Sequence, residues 1–250
     1  MNKELSRALI ILGVLLAIGM SAAAFIFGMQ AKHIGAGRQS ISVKGLAEKN
    51  VQATLAEWKI GVAVVAPSFA EALAKLRTSR PVLDSFLAKN GFDKKALKES
   101  EESVGPNMET EELPEGRNRQ VQRGFKASQS ITVTSSDLAK VSNVSKAALQ
   151  LEADGQPVFY SSPLFLVQNL ENLKMSLIGA ATENASKRAS EFAKYGGVRV
   201  GAMRSASQGA FYILPAGAEV SADEYGGTYD KSTIDKVARV VVTIEYNIEH

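Results

Sequence analysis

Residues 169–197 read NLENLKMSLIGAATENASKRASEFAKYGG, and this stretch decides the fold class. Leu170, Leu173, Leu177, Ala181, Ala185, Ala189 and Phe192 recur at helical spacing and form one apolar stripe. Asn169 opens the helix, and Gly196-Gly197 ends it because glycine adopts the left-handed conformation of a helix C-terminus without steric penalty. Lys187, Arg188, Glu191 and Lys194 fall off the stripe and are expected in solvent. Alanine on the stripe lets the helix approach a sheet closely, so the stretch predicts helix packed on sheet.

The flanking sequence supplies the strands. Val198 to Leu214 and Val237 to Ile248 read as late strands, separated by a Gly-rich acidic loop with Glu219, Asp223, Glu224 and Asp230. That loop offers carboxylates to a metal or a partner, but solvation accounts for them. Upstream, Pro157 to Gln168 is apolar and aromatic, Ser136 to Leu151 has helical spacing at Leu138, Val141, Val144, Ala148 and Leu151, and Phe125 to Thr134 alternates as a strand.

From Lys98 to Glu115 acidic residues recur among Pro106 and Pro114, followed by Gly116, Arg117, Arg119 and Arg123, which predicts an exposed connection. The sets Glu99, Glu101, Glu102 and Glu109, Glu111, Glu112 lack EF-hand spacing and read as solvated charge. Further upstream, Ile41-Ser42-Val43 and Thr54 to Val65 are β-rich, and Glu48-Lys49-Asn50 between them predicts a hairpin turn. Trp58 falls in the second strand and is expected to pack. Pro67-Ser68 stops that strand, Ser68 and Glu71 have capping-box spacing, and Leu73, Leu76, Leu83 and Leu87 continue a helix to Gly91. Pro81 removes one amide and predicts a bend in that helix.

The first forty residues have a different character. Ala8 to Met29 carries no charge, and eleven of its residues are Leu, Ile, Val or Phe. As a helix it would span roughly 33 Å, and those residues favour insertion by roughly 3 to 7 kcal/mol before Gly and Ser reduce the sum. Lys3, Arg7 and Ala22-Ala23-Ala24 are also the parts of a cleaved signal, but the apolar run continues through Phe25, Ile26, Phe27 and Met29, longer than a signal core. The expected organisation is a tail at 1–7, a transmembrane signal-anchor helix at 8–29, a linker at 30–40 and a soluble domain at 41–250. Lys3 and Arg7 on one side face Lys32, Arg38 and Lys44 on the other, so flanking charge leaves the orientation nearly tied.

Composition excludes several function classes. The 250 residues are 45% hydrophobic and 22% charged, ordinary for a folded chain, and the net charge of +3 comes from interleaved charges with no basic block for nucleic acid. The absence of cysteine removes disulfides, thiolate nucleophiles and thiolate metal sites. His33 and His250 are the only histidines, and neither is placed for catalysis.

Four stretches then carry a resemblance: Ile41-Ser42-Val43-Lys44-Gly45; Gly124-Phe125-Lys126-Ala127 leading into Ile131-Thr132-Val133; Asn184-Ala185-Ser186-Lys187-Arg188-Ala189; and the closing strand Val237 to Ile248. In order and spacing the chain resembles the SIMPL domain family, also represented by bacterial periplasmic immunogenic proteins. The resemblance implies an α+β domain of antiparallel or mixed sheet packed with helices, exported and often oligomeric, with links to envelope or oxidative stress. It transfers no catalytic residue, and the sequence departs from the family's pattern around Gln52 to Trp58 and at Pro81.

Three functions compete on these grounds. The first expectation is a non-enzymatic protein held in a bacterial inner membrane by residues 8–29, its domain in the periplasm, self-assembling as a homo-oligomeric scaffold, ring or passage. The second is a ligand-binding or stress-sensing module with a pocket near Trp58, Phe159, Tyr160 and Phe165. The third, a hydrolase, lacks a nucleophile elbow, an HExxH helix and a Walker loop, and Ser161-Ser162 has no identifiable base. No catalytic residue, metal site or cofactor is expected.

Overall fold

The structure, a computed structural model, describes residues 3–36, 39–114, 116–218 and 227–249. It begins with α1 (Lys3–Ala36), an unbroken helix. The 18-residue window Ile11–Gly28 has a mean hydropathy of 2.3 with none of it buried, long and apolar enough to cross a membrane, a property that anchors and signal sequences share. Ser21 satisfies its hydroxyl inside the helix by donating to the Ala17 carbonyl at 2.8 Å. Residues 30–36, expected as tether, continue the helix, because Gln30, Ala31 and Lys32 are good helix formers and Gly35 comes only at its end.

Beyond α1 the order is β1 (Ser40–Gln52), β2 (Leu55–Ala66), α2 (Phe69–Lys89), a single 3-10 turn at Lys94–Ala96, β3 (Leu97–Glu99), β4 (Ser103–Leu113), β5 (Arg117–Ser135), α3 (Leu138–Ala153), β6 (Val158–Tyr160), β7 (Leu164–Leu166), α4 (Leu170–Tyr195), β8 (Arg199–Pro215) and β9 (Asp235–Glu249). The class is α+β, as expected. The chain divides into two compact units, one of Met1–Glu48, Lys174–Phe211 and Arg239–His250, the other of Lys49–Leu173 and Tyr212–Ala238.

In the second unit β2 is the central strand of a six-stranded sheet ordered β3-β5-β2-β6, with β4 also on β5 and β7 also on β2. Antiparallel pairing with β5 runs without a break from Ala56 opposite Ser135 to Ala66 opposite Phe125. Alternation then places Trp58, Ile60, Val62 and Val64 on one face, where they are buried with Leu76, Leu83 and Leu87 of α2 and Val141, Val144 and Ala148 of α3. Gly124 adopts φ +77°, and a Cβ there would overlap the Ala66 carbonyl, which explains glycine at the start of one of the four resembling stretches.

α2 starts as its sequence predicts, with the Ser68 hydroxyl accepting from Glu71 N at 3.3 Å, and Gly91 at φ +71° follows its end. Pro81 lies inside a helix that continues through it. α3 is capped by Asp137, whose carboxylate accepts from Lys140 N at 2.9 Å.

In the three-stranded sheet, ordered β1-β9-β8, alternate residues of β9 are buried from Lys236 through Tyr246. α4 buries Leu177, Ala181, Ala185, Ala189 and Ala193. Phe192, expected on that stripe, is 63% exposed. The buried positions repeat strictly every fourth residue, so the stripe passes through Ala193 instead. Asn169 precedes the helix at φ 56°, a conformation asparagine tolerates better than most side chains.

Two further expectations are overturned. The predicted hairpin of β1 and β2 does not form: β1 pairs with β9 and β2 with β5, β6 and β7. Glu48, Lys49 and Asn50 continue β1 as exposed positions, with Glu48 held by Arg239 at 3.2 Å. The predicted connection at 98–115 is mostly strand, since β4 pairs with β5 in a long hairpin. Its stabilisation is cross-strand and polar: Glu111 lies opposite Arg119 at 2.9 Å, Glu109 meets Arg123 at 3.3 Å, and the Gln120 amide donates to Thr110 at 2.7 Å. Among the described residues of β4 only Val104 packs against the core, and the rest of the strand has no apolar alternation to announce it.

Candidate functional site

The aromatic residues expected to make a pocket divide between the two faces of the second unit's sheet. Trp58 is fully buried, and its indole N–H donates to the Ser161 carbonyl at 2.9 Å. The Ser161 N–H in turn donates to the Lys59 carbonyl at 3.0 Å, so the backbone between β6 and β7 is fixed on both sides of Ser161. Tyr160 lies opposite Ile60 and Phe165 opposite Ala56, on the helix-covered face, whereas Phe159 lies opposite Gly61 on the other. Phe159 is therefore no part of the pocket, and Trp58 is its buried support.

What does form is a cleft of about 350 Å³ between α3 and the β6–β7 connection. Tyr160, Pro163 and Phe165 supply apolar wall, Ser142, Ser145, Ser161 and Ser162 supply hydroxyls, and Lys146 is the one charged residue lining it. The Tyr160 hydroxyl donates to a Glu152 carboxylate oxygen at 2.9 Å. That hydrogen bond, with burial and the negative charge, raises the phenol above its ordinary pKa, so Tyr160 stays neutral. Sequence reasoning found the Tyr160 to Phe165 side of the cleft. It missed Ser142, Ser145 and Lys146, whose spacing on one face of α3 reads as ordinary solvated surface until β6 and β7 are brought beside it.

The acidic clusters weighed as cation sites are largely taken by arginines. Arg80, nearly buried, meets Asp84 at 3.0 Å and Glu99 at 3.1 Å and also donates to Gln129. Arg77 holds Glu102 at 2.8 Å, while Glu109 and Glu111 are occupied across the hairpin. Among the described residues no group of three acidic or histidine side chains could hold a metal ion. His250, Glu219, Asp223 and Glu224 lie outside the described residues, and His33 is on α1.

Asp230, expected in a solvated loop, is instead paired with Lys236 at 2.8 Å, and both side chains are buried. Burial pushes the Asp230 carboxyl up, but hydrogen bonds from Lys236, Ser232 and Thr233 outweigh it and hold the group well below the usual carboxylate range. The signal available in the sequence is Lys236 itself. It occupies the buried parity of β9, where a lone ammonium needs a partner.

The four resembling stretches also acquire geometry. Asn184 Oδ1 accepts from Leu46 N at 3.2 Å, and Arg188 donates to the Lys44 carbonyl at 3.1 Å, so two α4 side chains cap the edge of β1 on either side of Gly45. A side chain at Gly45 would collide with α4, its Cβ overlapping the Ala181 carbonyl and lying 2.8 Å from Ala185 Cβ. These contacts join the first stretch to the third and give both a structural role. No curated protein matches the chain. Residues 41–246 match the family model of SIMPL, described as a protein of unknown function (DUF541), and the chain belongs to that family.

Proposed function

We propose that this chain is a non-enzymatic, membrane-anchored envelope protein whose domain self-associates, held in a bacterial inner membrane by α1 with the domain on the periplasmic side. The reading of α1 as a retained anchor rests on its length and its unbroken apolar window. The periplasmic side rests on resemblance to exported proteins.

The observation that carries self-association is the outer edge of β8. β1 has its edge capped by Asn184 and Arg188, and the β4 edge carries Glu109, Glu111 and Glu112. β8 ends its sheet, and among the described residues no strand pairs on its outer side over 199–211, the parallel bridge of Ile213 to Tyr229 lying beyond. Residues 202–209 are exposed on both faces and contain a single charge, Arg204. Residues 199–211 contain no lysine or proline, and an open strand edge of that kind is a template for pairing with another chain.

The test is the mass of the full-length protein in mild detergent across a concentration series. A mass several times that of one chain is expected. Ala206→Pro and Ser207→Pro remove amides that point to opposite sides of β8, and the one on the outer side should dissociate the assembly with the circular dichroism unchanged. A strictly monomeric protein at every concentration overturns the reading. A ligand-binding or stress-sensing module is the second reading, supported by the cleft beside Ser161.

A further inference from the structure

The cleft of α3 and the β6–β7 connection has a composition that selects a ligand class, and this inference deepens the ligand-binding reading and rests on it. Its volume of about 350 Å³ is that of a small-molecule site. No carboxylate lines it, and its one charged residue is Lys146. Among the described residues, neither the Lys146 ammonium nor the Ser162 hydroxyl has a partner, so both are available to an incoming group.

The donors are also positioned in advance. Ser142 and Lys146 share a face of α3, one turn apart, while the Ser145 hydroxyl beside them donates to the Ser142 carbonyl at 2.9 Å. The opposite wall is held where Trp58 and Lys59 fix the main chain of Ser161 and where Pro163 restricts its own φ. Fixing the walls before binding lowers the ordering that a ligand must impose.

Arginine's two-pronged fork, which serves carboxylate and phosphate alike, does not line the cleft, and lysine binds phosphate as a point charge. A point charge surrounded by rotatable hydroxyls suits the spread oxygens of a tetrahedral oxyanion. We propose that the cleft binds a compact organic phosphate, its anionic head on Lys146 and the hydroxyls of Ser142 and Ser162, and its apolar body against Tyr160, Pro163 and Phe165.

The test is titration of the full-length protein in mild detergent with phenyl phosphate, with inorganic phosphate, phenol and benzylamine as comparison probes, read by calorimetry and by thermal shift. Saturable binding of phenyl phosphate is expected, at least about tenfold tighter than phenol. Lys146→Gln should weaken it at least about tenfold, the effect of losing a charge-assisted contact. Ser162→Asp, which places a carboxylate in the cleft, should abolish it. Lys146 is exposed, so an unchanged melting temperature without ligand shows the variant folded. Equal affinity in Lys146→Gln, or inorganic phosphate binding as tightly as phenyl phosphate, overturns the proposal. Response to phenol or benzylamine but not to phenyl phosphate overturns the phosphate assignment while the ligand-binding reading stands, and no response to any probe overturns both.

Discussion

Gly45 of β1 and Ala185 of α4 approach so closely that a Cβ added to Gly45 would lie 2.8 Å from the Ala185 methyl carbon while also overlapping the Ala181 carbonyl. Neither obstacle can rotate away, because one is helix backbone and the other is a Cβ fixed to it. On each side of the contact a main-chain group of β1 is satisfied by a side chain of α4, Asn184 to Leu46 N and Arg188 to the Lys44 carbonyl. Gly45→Ala is therefore expected to destabilise the fold by about 2–3 kcal/mol or more, the scale of overpacking against immovable neighbours. Gly105→Ala, where nothing lies within 4 Å, should change stability by no more than about 1 kcal/mol. Urea denaturation of the full-length protein in detergent, followed by circular dichroism, which reports on both units, separates the two.

The Asp230 and Lys236 pair gives the fold an acid-sensitive element. Because the folded carboxyl is held below its ordinary range, its contribution is complete above the unfolded carboxylate pKa of about 4 and declines as pH falls toward the folded value. Asp230→Ala should cost about 3–5 kcal/mol near neutral pH by leaving a buried ammonium without a counter-charge, its bond to the residue 230 carbonyl remaining, and adding Lys236→Met should recover much of that loss. The gap between the parent and Asp230→Ala should stay level down to about pH 5 and narrow below about pH 4, as measured by denaturation at a series of pH values.

Trp58→Phe removes the indole donor from the Ser161 carbonyl and leaves unfilled volume beneath β6 and β7. The expected loss is about 2–3 kcal/mol, combining a cavity with an unsatisfied carbonyl. Circular dichroism must monitor it, since Trp58 is the only tryptophan. Amide exchange at Ser161 should also accelerate, because the segment loses its bond from Trp58.

For the anchoring proposed above, Leu16→Arg places a charge inside the apolar window and should oppose insertion by about 3 kcal/mol. The fraction of protein retained in membranes after an alkaline wash should fall, whereas Leu16→Ala should leave it nearly unchanged.

Features governed by neighbours in the chain were legible in advance. The apolar run of α1, the Ser68 cap and Gly91 stop of α2, the periodicity of α3 and the alanine stripe of α4 each follow from side chains a few residues apart, and together they give the α+β class. Local rules also placed β2 and β9, whose alternation reflects one covered face. For the candidate site, Tyr160, Ser161, Ser162 and Phe165 stood out as an aromatic and hydroxyl-bearing segment, but nothing local linked them to α3.

Long-range pairing decided the rest. Ile41 to Val43 and Thr54 to Val65 are both strand-like and adjacent, and only tertiary structure sends them to different sheets, because a strand's sequence records which face is buried and not which strand lies beside it. β4 became a strand through charges on β5 that match it across the ladder, and Asp230 became buried through Lys236. Gly45 has the same character: the sequence alone identified the helix with its alanines and the strand with its glycine, but the reason for a glycine there is the surface of α4, brought within contact by a fold that joins residues some 140 positions apart.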